Sequence, residues 1–373
     1  MREKVRKLIE LFYIFIIKPI LFRIDPEKVH DKTIYLCYLL GNSFVSKKII
    51  KPLFSYQDDI LRQNILGIEF KNPLGLAAGF DKNGEGLEFL QNLGFGFIEI
   101  GSITGFPCEG NPPPRLWRLP KSNSLIVFYG LKNKGAEEIY QRLKKVKIDI
   151  PLGISLAKTN SDKTVDINGA IEDYLKSLRL FKNLGEYLVL NVSCPNIYEK
   201  EKFCQPQNLD KLLSETRKLD IKQPIFLKIS PDLSFKEVDE IIEIAKHYKI
   251  NGFIISNLTK NYETAFLNKN EFKKIFKGKG GLSGKAVWEI SNRMLEYVFK
   301  KTKGEFILIG TGGIFSGYDA YKKIKLGASL VQLITGMIFK GPQLIGQINY
   351  EISKLLKKDG FKNIKEAIGA NVF

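Results

Sequence analysis

Residues 188–196 read Leu-Val-Leu-Asn-Val-Ser-Cys-Pro-Asn and gather several side chains able to do chemistry. The stretch opens aliphatic, as a buried strand does. Asn191, Ser193, Cys194 and Asn196 then arrive within six positions, and Pro195 ends any strand pairing. Amides hydrogen-bond polar ligand edges, and a thiol reacts as its thiolate, with an ordinary pKa of about 8.5. A strand that is apolar along its length and polar at its C-terminal end fits a (β/α)8 barrel, whose sites lie on that rim. A plain strand running into an Asn/Ser turn fits the stretch equally well. The other strands must decide.

Stepping along the chain from residue 65, short apolar runs alternate with Lys/Glu-rich helical segments, the pattern of βα units. Strands are expected near residues 74–78, 95–102, 151–156, 187–192, 225–229, 252–256, 306–310 and 330–334. Eight is the barrel number. Their C-terminal ends carry small and polar residues. The first runs into Ala77, Ala78 and Gly79, which let a flat ligand approach the backbone, and then Lys82. The second gives Gly101-Ser102 and, further on, Gly110-Asn111 and Arg115. The third holds Ser155, the fifth Lys228 and Ser230, the sixth Ser256-Asn257, the seventh Gly312-Gly313, and the eighth Thr335-Gly336.

The bulk composition sets limits. The chain has 373 residues, enough for one barrel of about 250 residues and roughly a hundred more. The net charge of +18 invites nucleic acid or an anionic membrane. Its excess is mostly lysine, spread over segments such as 144–147 and 273–279, so a solvated surface accounts for it and nucleic acid is disfavoured. Cys37, Cys108, Cys194 and Cys204 have no metal-ligand spacing, and His30 and His247 are the only histidines, which argues against a zinc site. A reducing, intracellular setting is expected.

Residues 8–22 are strongly apolar but broken by Glu10, Lys18 and Pro19; the longest run, 11–17, falls far short of the ~20 residues of a spanning helix. There is a basic start but no small-residue cleavage site for a secretory signal. A basic amphipathic helix on a membrane surface fits, as does a helix packed on its own domain. Asp25-Pro26-Glu27 predicts an N-cap, a proline at the first helical position and an acid in the first turn of a second helix ending near Gly41. The expectation is a two-helix extension over residues 1–60 and a barrel over 61–373.

In this order the motifs resemble the dihydroorotate dehydrogenases, FMN enzymes on a (β/α)8 barrel, and specifically their class 2, quinone-linked branch. The resemblance rests on Asp25-Pro26-Glu27 with His30, residues 75–84 (Gly-Leu-Ala-Ala-Gly-Phe-Asp-Lys-Asn-Gly), Gly110-Asn111 with Pro114-Arg115, residues 191–196, residues 280–284 (Gly-Gly-Leu-Ser-Gly) and residues 339–342 (Phe-Lys-Gly-Pro). It spans essentially the whole chain. It implies oxidation of (S)-dihydroorotate to orotate in pyrimidine biosynthesis, with electrons passed through FMN to a membrane quinone. The extension then serves as membrane contact and quinone tunnel, which implies a peripheral place on the cytoplasmic side of the cell membrane.

Such an oxidation removes a proton from one ring carbon and a hydride from its neighbour, so a base faces the flavin across the substrate. By the resemblance Cys194 is that base. Lys82 pairs with the substrate carboxylate and touches the cofactor, while Asn191, Asn196 and Asn257 bond the pyrimidine edge. Lys228 stands beside the flavin, where a fixed cation stabilises its reduced form. Gly312, Gly313, Thr335 and Gly336 receive the phosphate. Ala77, Ala78, Gly79, Ser102, Ser155, Asn191, Ser256 and Gly284 complete the cofactor set.

The departures from the family cluster on the substrate side. The family loop Asn-Arg-Met-Gly-Phe-Asn is here residues 127–132, so two asparagines become Val127 and Lys132. An Asn-Thr pair becomes Asn257-Leu258, and a flavin-side asparagine becomes Ser155. The base is usually serine in the quinone-linked branch; cysteine is typical of class 1. Residues 197–207 replace the usual lid sequence with a Lys/Glu-rich one. Lys132 is expected to grip a carboxylate in compensation; a pocket moved to another dihydropyrimidine or cyclic acid is the alternative. A catalytically silent flavin barrel is a third reading. Dihydrouridine synthases also set a cysteine on an FMN barrel, and RNA would suit +18, but the N-terminal extension and the short stretch after Ile348 speak against them.

Overall fold

A computed structural model describes residues 2–41, 43–196, 203–263 and 265–372. Eight parallel strands close a barrel: β1 Leu74–Leu76, β2 Phe97–Ile103, β3 Leu152–Leu156, β4 Tyr187–Asn191, β5 Ile225–Ile229, β6 Gly252–Ile255, β7 Ile307–Thr311 and β8 Leu330–Leu333. Each pairs with its sequence neighbours, and β8 pairs with β1 to complete the ring. All eight expected strands are present. The first is shorter than expected, because Ala77 and Ala78 leave the ladder to line the rim.

Side chains alternate along a strand, so every second residue enters the barrel. On β2 that series runs Phe97 then Glu99; on β4 Tyr187, Val189, Asn191; on β5 Phe226 then Lys228; on β8 Leu330 then Gln332. The lower members form an apolar cluster, and the upper ones turn polar. Glycine makes room for the rings: a Cβ at Gly75 would lie 2.3 Å from the Phe97 ring, and one at Gly153 would lie 2.1 Å from Tyr187. A hairpin of Gln63–Ile65 and Ile68–Phe70 closes this end, setting Phe70 edge-on to Phe97 at 5.5 Å. Its strands are three residues each, too short to give a periodic signal.

At the other end an antiparallel sheet of Leu116–Leu119, Ser124–Val127 and Gly281–Gly284 walls the rim. It joins two motifs that lie about 160 residues apart in sequence.

The extension begins with α1, Arg2–Phe12, whose helical path runs on through the wider turns of Tyr13–Ile17 into Lys18–Leu21. That change of register puts Pro19 in the first turn of a resumed α-helix, where no backbone donor is needed. After a turn comes α2, Pro26–Leu40, capped as expected: the Asp25 carboxylate accepts from Lys28 N at 3.0 Å, and Gly41 ends it at φ +37°. A third helical stretch, Val45–Ile50 and Lys51–Phe54, adds to the expected two and repeats the device at Pro52. Arg6, 1% exposed, ties α1 to the third helical stretch by donating to Leu53 O at 2.8 Å. The extension is fastened to the barrel by Glu10, which accepts from Gln347 Nε2 at 3.1 Å, and by Tyr13, which donates to Ile338 O at 2.7 Å. Phe22 meets Phe339 edge-on.

Candidate active site

The polar barrel ends, the three-stranded sheet and α2 enclose a cavity of about 1310 Å³, mouth included. Cys194, Lys82, Lys132, Asn191, Asn196, Asn257, Ala77, Ala78, Gly79, Ser102, Lys228, Ser256, Gly284, Gly312, Gly313, Thr335 and Gly336 all lie on its wall. Ser155 does not. It sits behind Ser102, with the two hydroxyl oxygens 2.9 Å apart, and is fully buried. A serine is too short to pass Ser102 where the family's asparagine would be longer.

At the floor Lys228 Nζ lies 3.3 Å from Glu99 Oε1, and Gln332 donates to Glu99 Oε2 at 2.8 Å. All three are buried. This fixes a cation on β5 with a counter-charge from β2. Above it an amide chain is already ordered. Asn191 donates to Ser102 Oγ at 2.8 Å and accepts from Asn257 Nδ2 at 3.0 Å. Asn257 also donates to the Ser193 carbonyl at 3.2 Å, so β4 and β6 hold each other's rim residues. Cys194 is partly exposed to the cavity, one turn beyond the end of β4.

Asn196 is pinned by its amide nitrogen to Val127 O at 2.7 Å. Among the described residues, its carbonyl oxygen and the Tyr129 hydroxyl are buried with no hydrogen-bond partner. Both residues line the cavity, so a ligand there can satisfy them. The wall opposite is small: a Cβ at Gly79 would meet only Ile334, at 3.7 Å, and would project toward the cavity. Gly312 and Gly313 adopt φ of +103° and +74°, which L side chains rarely take, and so keep the backbone bare at the rim.

Lys82 lies over the Tyr129 ring, 4.2 Å from its centroid. Burial lowers its ammonium to about 8; Asp31 opposes the shift and Lys132 adds to it. His30 of α2 contacts Phe80 O at 2.7 Å through Nε2, and burial, then the Lys82 charge, push its pKa down.

The dihydroorotate dehydrogenase family profile matches residues 60–356. The chain is 36% identical to the dihydroorotate dehydrogenase (quinone) of Trichodesmium erythraeum (strain IMS101), covering 96% of this chain and 98% of that one. It is 38% identical to the protein of the same name from Nostoc punctiforme (strain ATCC 29133 / PCC 73102), again over 96% and 98%. The chain belongs to the dihydroorotate dehydrogenase family. Its fold superposes on a solved DHODH in complex with ferulenol from Eimeria tenella with a TM-score of 0.82, at 29% identity, over 93% of this chain and 96% of the other.

Within that family the changed positions have definite places. Val127 and Leu258 put aliphatic surface on the cavity wall. Lys132 also lines it, but its ammonium is 3.1 Å from Glu27 Oε1 of α2. Of the altered lid sequence, residues 197–202 lie outside the described residues; Phe203 is buried, and Pro206–Arg217 form a helix. Glu99, Gln332, Tyr129 and Glu27 were not singled out from the sequence as site residues. Two of them carried a signal: Glu99 and Gln332 are polar residues at inward parity on otherwise apolar strands.

Proposed function

We propose that the chain oxidises (S)-dihydroorotate to orotate in pyrimidine biosynthesis, with FMN as its flavin and a membrane quinone as the electron acceptor. The carrying observation is the cavity itself, which joins Cys194, Lys82 and three ordered amides to a buried lysine and a wall of small residues. Bound FMN supplies the hydride acceptor. Lys228, held by Glu99, offers a positive charge where the reduced cofactor gains a negative one. Gly312, Gly313, Thr335 and Gly336 hold the phosphate, while Ala77, Ala78, Gly79, Ser102, Ser256 and Gly284 shape the rest of its seat. Ser155 acts only through Ser102. Lys82 and Lys132 attract the substrate carboxylate, and Asn191, Asn196 and Asn257 bond its ring edge. Cys194, as thiolate, takes the ring proton.

The extension supports peripheral membrane contact. Leu8, Phe15, Tyr35, Tyr38 and Phe44 are each more than 60% exposed, an apolar surface shared by the whole segment. Among the described residues, no helix is long and apolar enough to cross a membrane.

The test is direct. Purified protein supplied with dihydroorotate and a short-chain quinone forms orotate, and flavin released by heat is FMN. Protein that takes up no flavin contradicts the whole reading. A protein that holds FMN without forming orotate points instead to another cyclic acid, which the aliphatic Val127 and Leu258 would favour.

A further inference from the structure

Glu27 takes two cations on one carboxylate. Arg115 approaches it with Nε 3.0 Å from both oxygens and Nη2 2.7 Å from Oε1; Lys132 Nζ lies 3.1 Å from Oε1. The two cations are held very differently. The Arg115 side chain is 7% exposed and is also fixed by Nη1 donating to Glu109 O at 2.8 Å and Asn111 O at 2.7 Å. The Lys132 side chain is 38% exposed, has a flexible stem and lines the cavity. Nearby, the Asp31 and Asp81 carboxylates favour the charged form of Lys82. Of the two cations on Glu27, Lys132 is the one with fewer ties.

We infer that Glu27 is a positioning residue which holds Lys132 at the cavity edge and so sets the affinity for an anionic substrate from the N-terminal extension. This rests on the proposed oxidation of a substrate that carries a carboxylate. Arg115 keeps Glu27 neutralised whether or not Lys132 remains on it, so Lys132 can turn to a substrate carboxylate without stranding a buried charge. Position 132 is where the family's substrate-side asparagine is replaced, so the chain exchanges a neutral hydrogen-bonding group for a cation restrained by the extension.

The two partners of this pair should act with opposite sign. Lys132→Met removes the cation and raises the KM for dihydroorotate about tenfold, the scale of one charge-assisted hydrogen bond. Glu27→Gln releases Lys132 and lowers KM about threefold, the modest scale of a partly exposed charge. In both variants kcat changes little, and an uncharged methyl ester of the substrate is insensitive to either. The double variant behaves as Lys132→Met alone. If the pair only braces α2 against the barrel, both single variants shift KM and thermal stability in the same direction, and the inference is wrong. Equal effects on acid and ester overturn it as well. If the wild-type protein does not oxidise dihydroorotate, the functional reading falls, and this inference with it.

Discussion

In the proposed reaction Cys194 is the base, and it differs from the serine usual in its branch. Its substitution by alanine is expected to slow flavin reduction by roughly 10²–10⁴, the usual worth of a positioned base, with FMN still bound. Cys194→Ser should also flatten the pH dependence, since a hydroxyl has no thiol-like ionisation near neutrality. Rapid-mixing reduction rates across a pH series decide between this and a structural thiol, whose loss would cost stability and little rate. Lys82 supplies the opposite limb. It carries its charge below about 8 and loses it above. The thiolate population rises with pH while the carboxylate-binding cation disappears. The kcat/KM profile for dihydroorotate should therefore be bell-shaped, with its alkaline limb expressed in KM and absent in Lys82→Ala. A profile still rising well beyond pH 8 would remove Lys82 from substrate binding.

At the level of elements, the eight strands were legible because each lies in a short, largely apolar run between turn signals, and their polar ends fell where a barrel puts its site. The short hairpin under the barrel and the pairing of Gly281–Gly284 with Ser124–Val127 were not. Three-residue strands have no measurable period, and an antiparallel partner about 160 residues away leaves no local trace. Ser155 lay on the right strand but one layer too deep, a difference only packing behind Ser102 reveals. Nor could the pairing of Lys132 with Glu27 be read without knowing that α2 packs beside the cavity. The Glu99–Lys228–Gln332 set ties β2, β5 and β8 together, so Lys228→Ala should weaken FMN retention and also destabilise the fold. A buried carboxylate stripped of its cation typically costs about 3–5 kcal/mol. Denaturant unfolding of Lys228→Ala beside Glu99→Gln/Lys228→Met measures this; the paired variant should recover much of the stability but not the flavin. Retention of FMN in both would place the cation away from the cofactor.

For the molecule as a whole, the proposed function gives membrane contact to the extension and the chemistry to the barrel. The barrel closes on itself, yet Glu10, Tyr13 and Phe22 tie the extension into it. A chain beginning at Gln63 should still fold and be reduced by substrate, melt at lower temperature, and lose both vesicle binding and activity with long-chain quinones. Full activity with those quinones would contradict a tunnel in the extension. The high positive charge has a bland explanation in solvated lysines such as Lys144, Lys145, Lys273 and Lys274, all exposed.

The proposed chemistry begins with a two-electron transfer from substrate to flavin, which can be watched without any quinone. The full-length protein, loaded with FMN and free of oxygen, is mixed with dihydroorotate while the visible flavin band is followed. The account predicts rapid bleaching to the reduced state, one orotate formed per flavin, and loss of that rapid phase in Cys194→Ala. A flavin that stays oxidised under saturating dihydroorotate would contradict it.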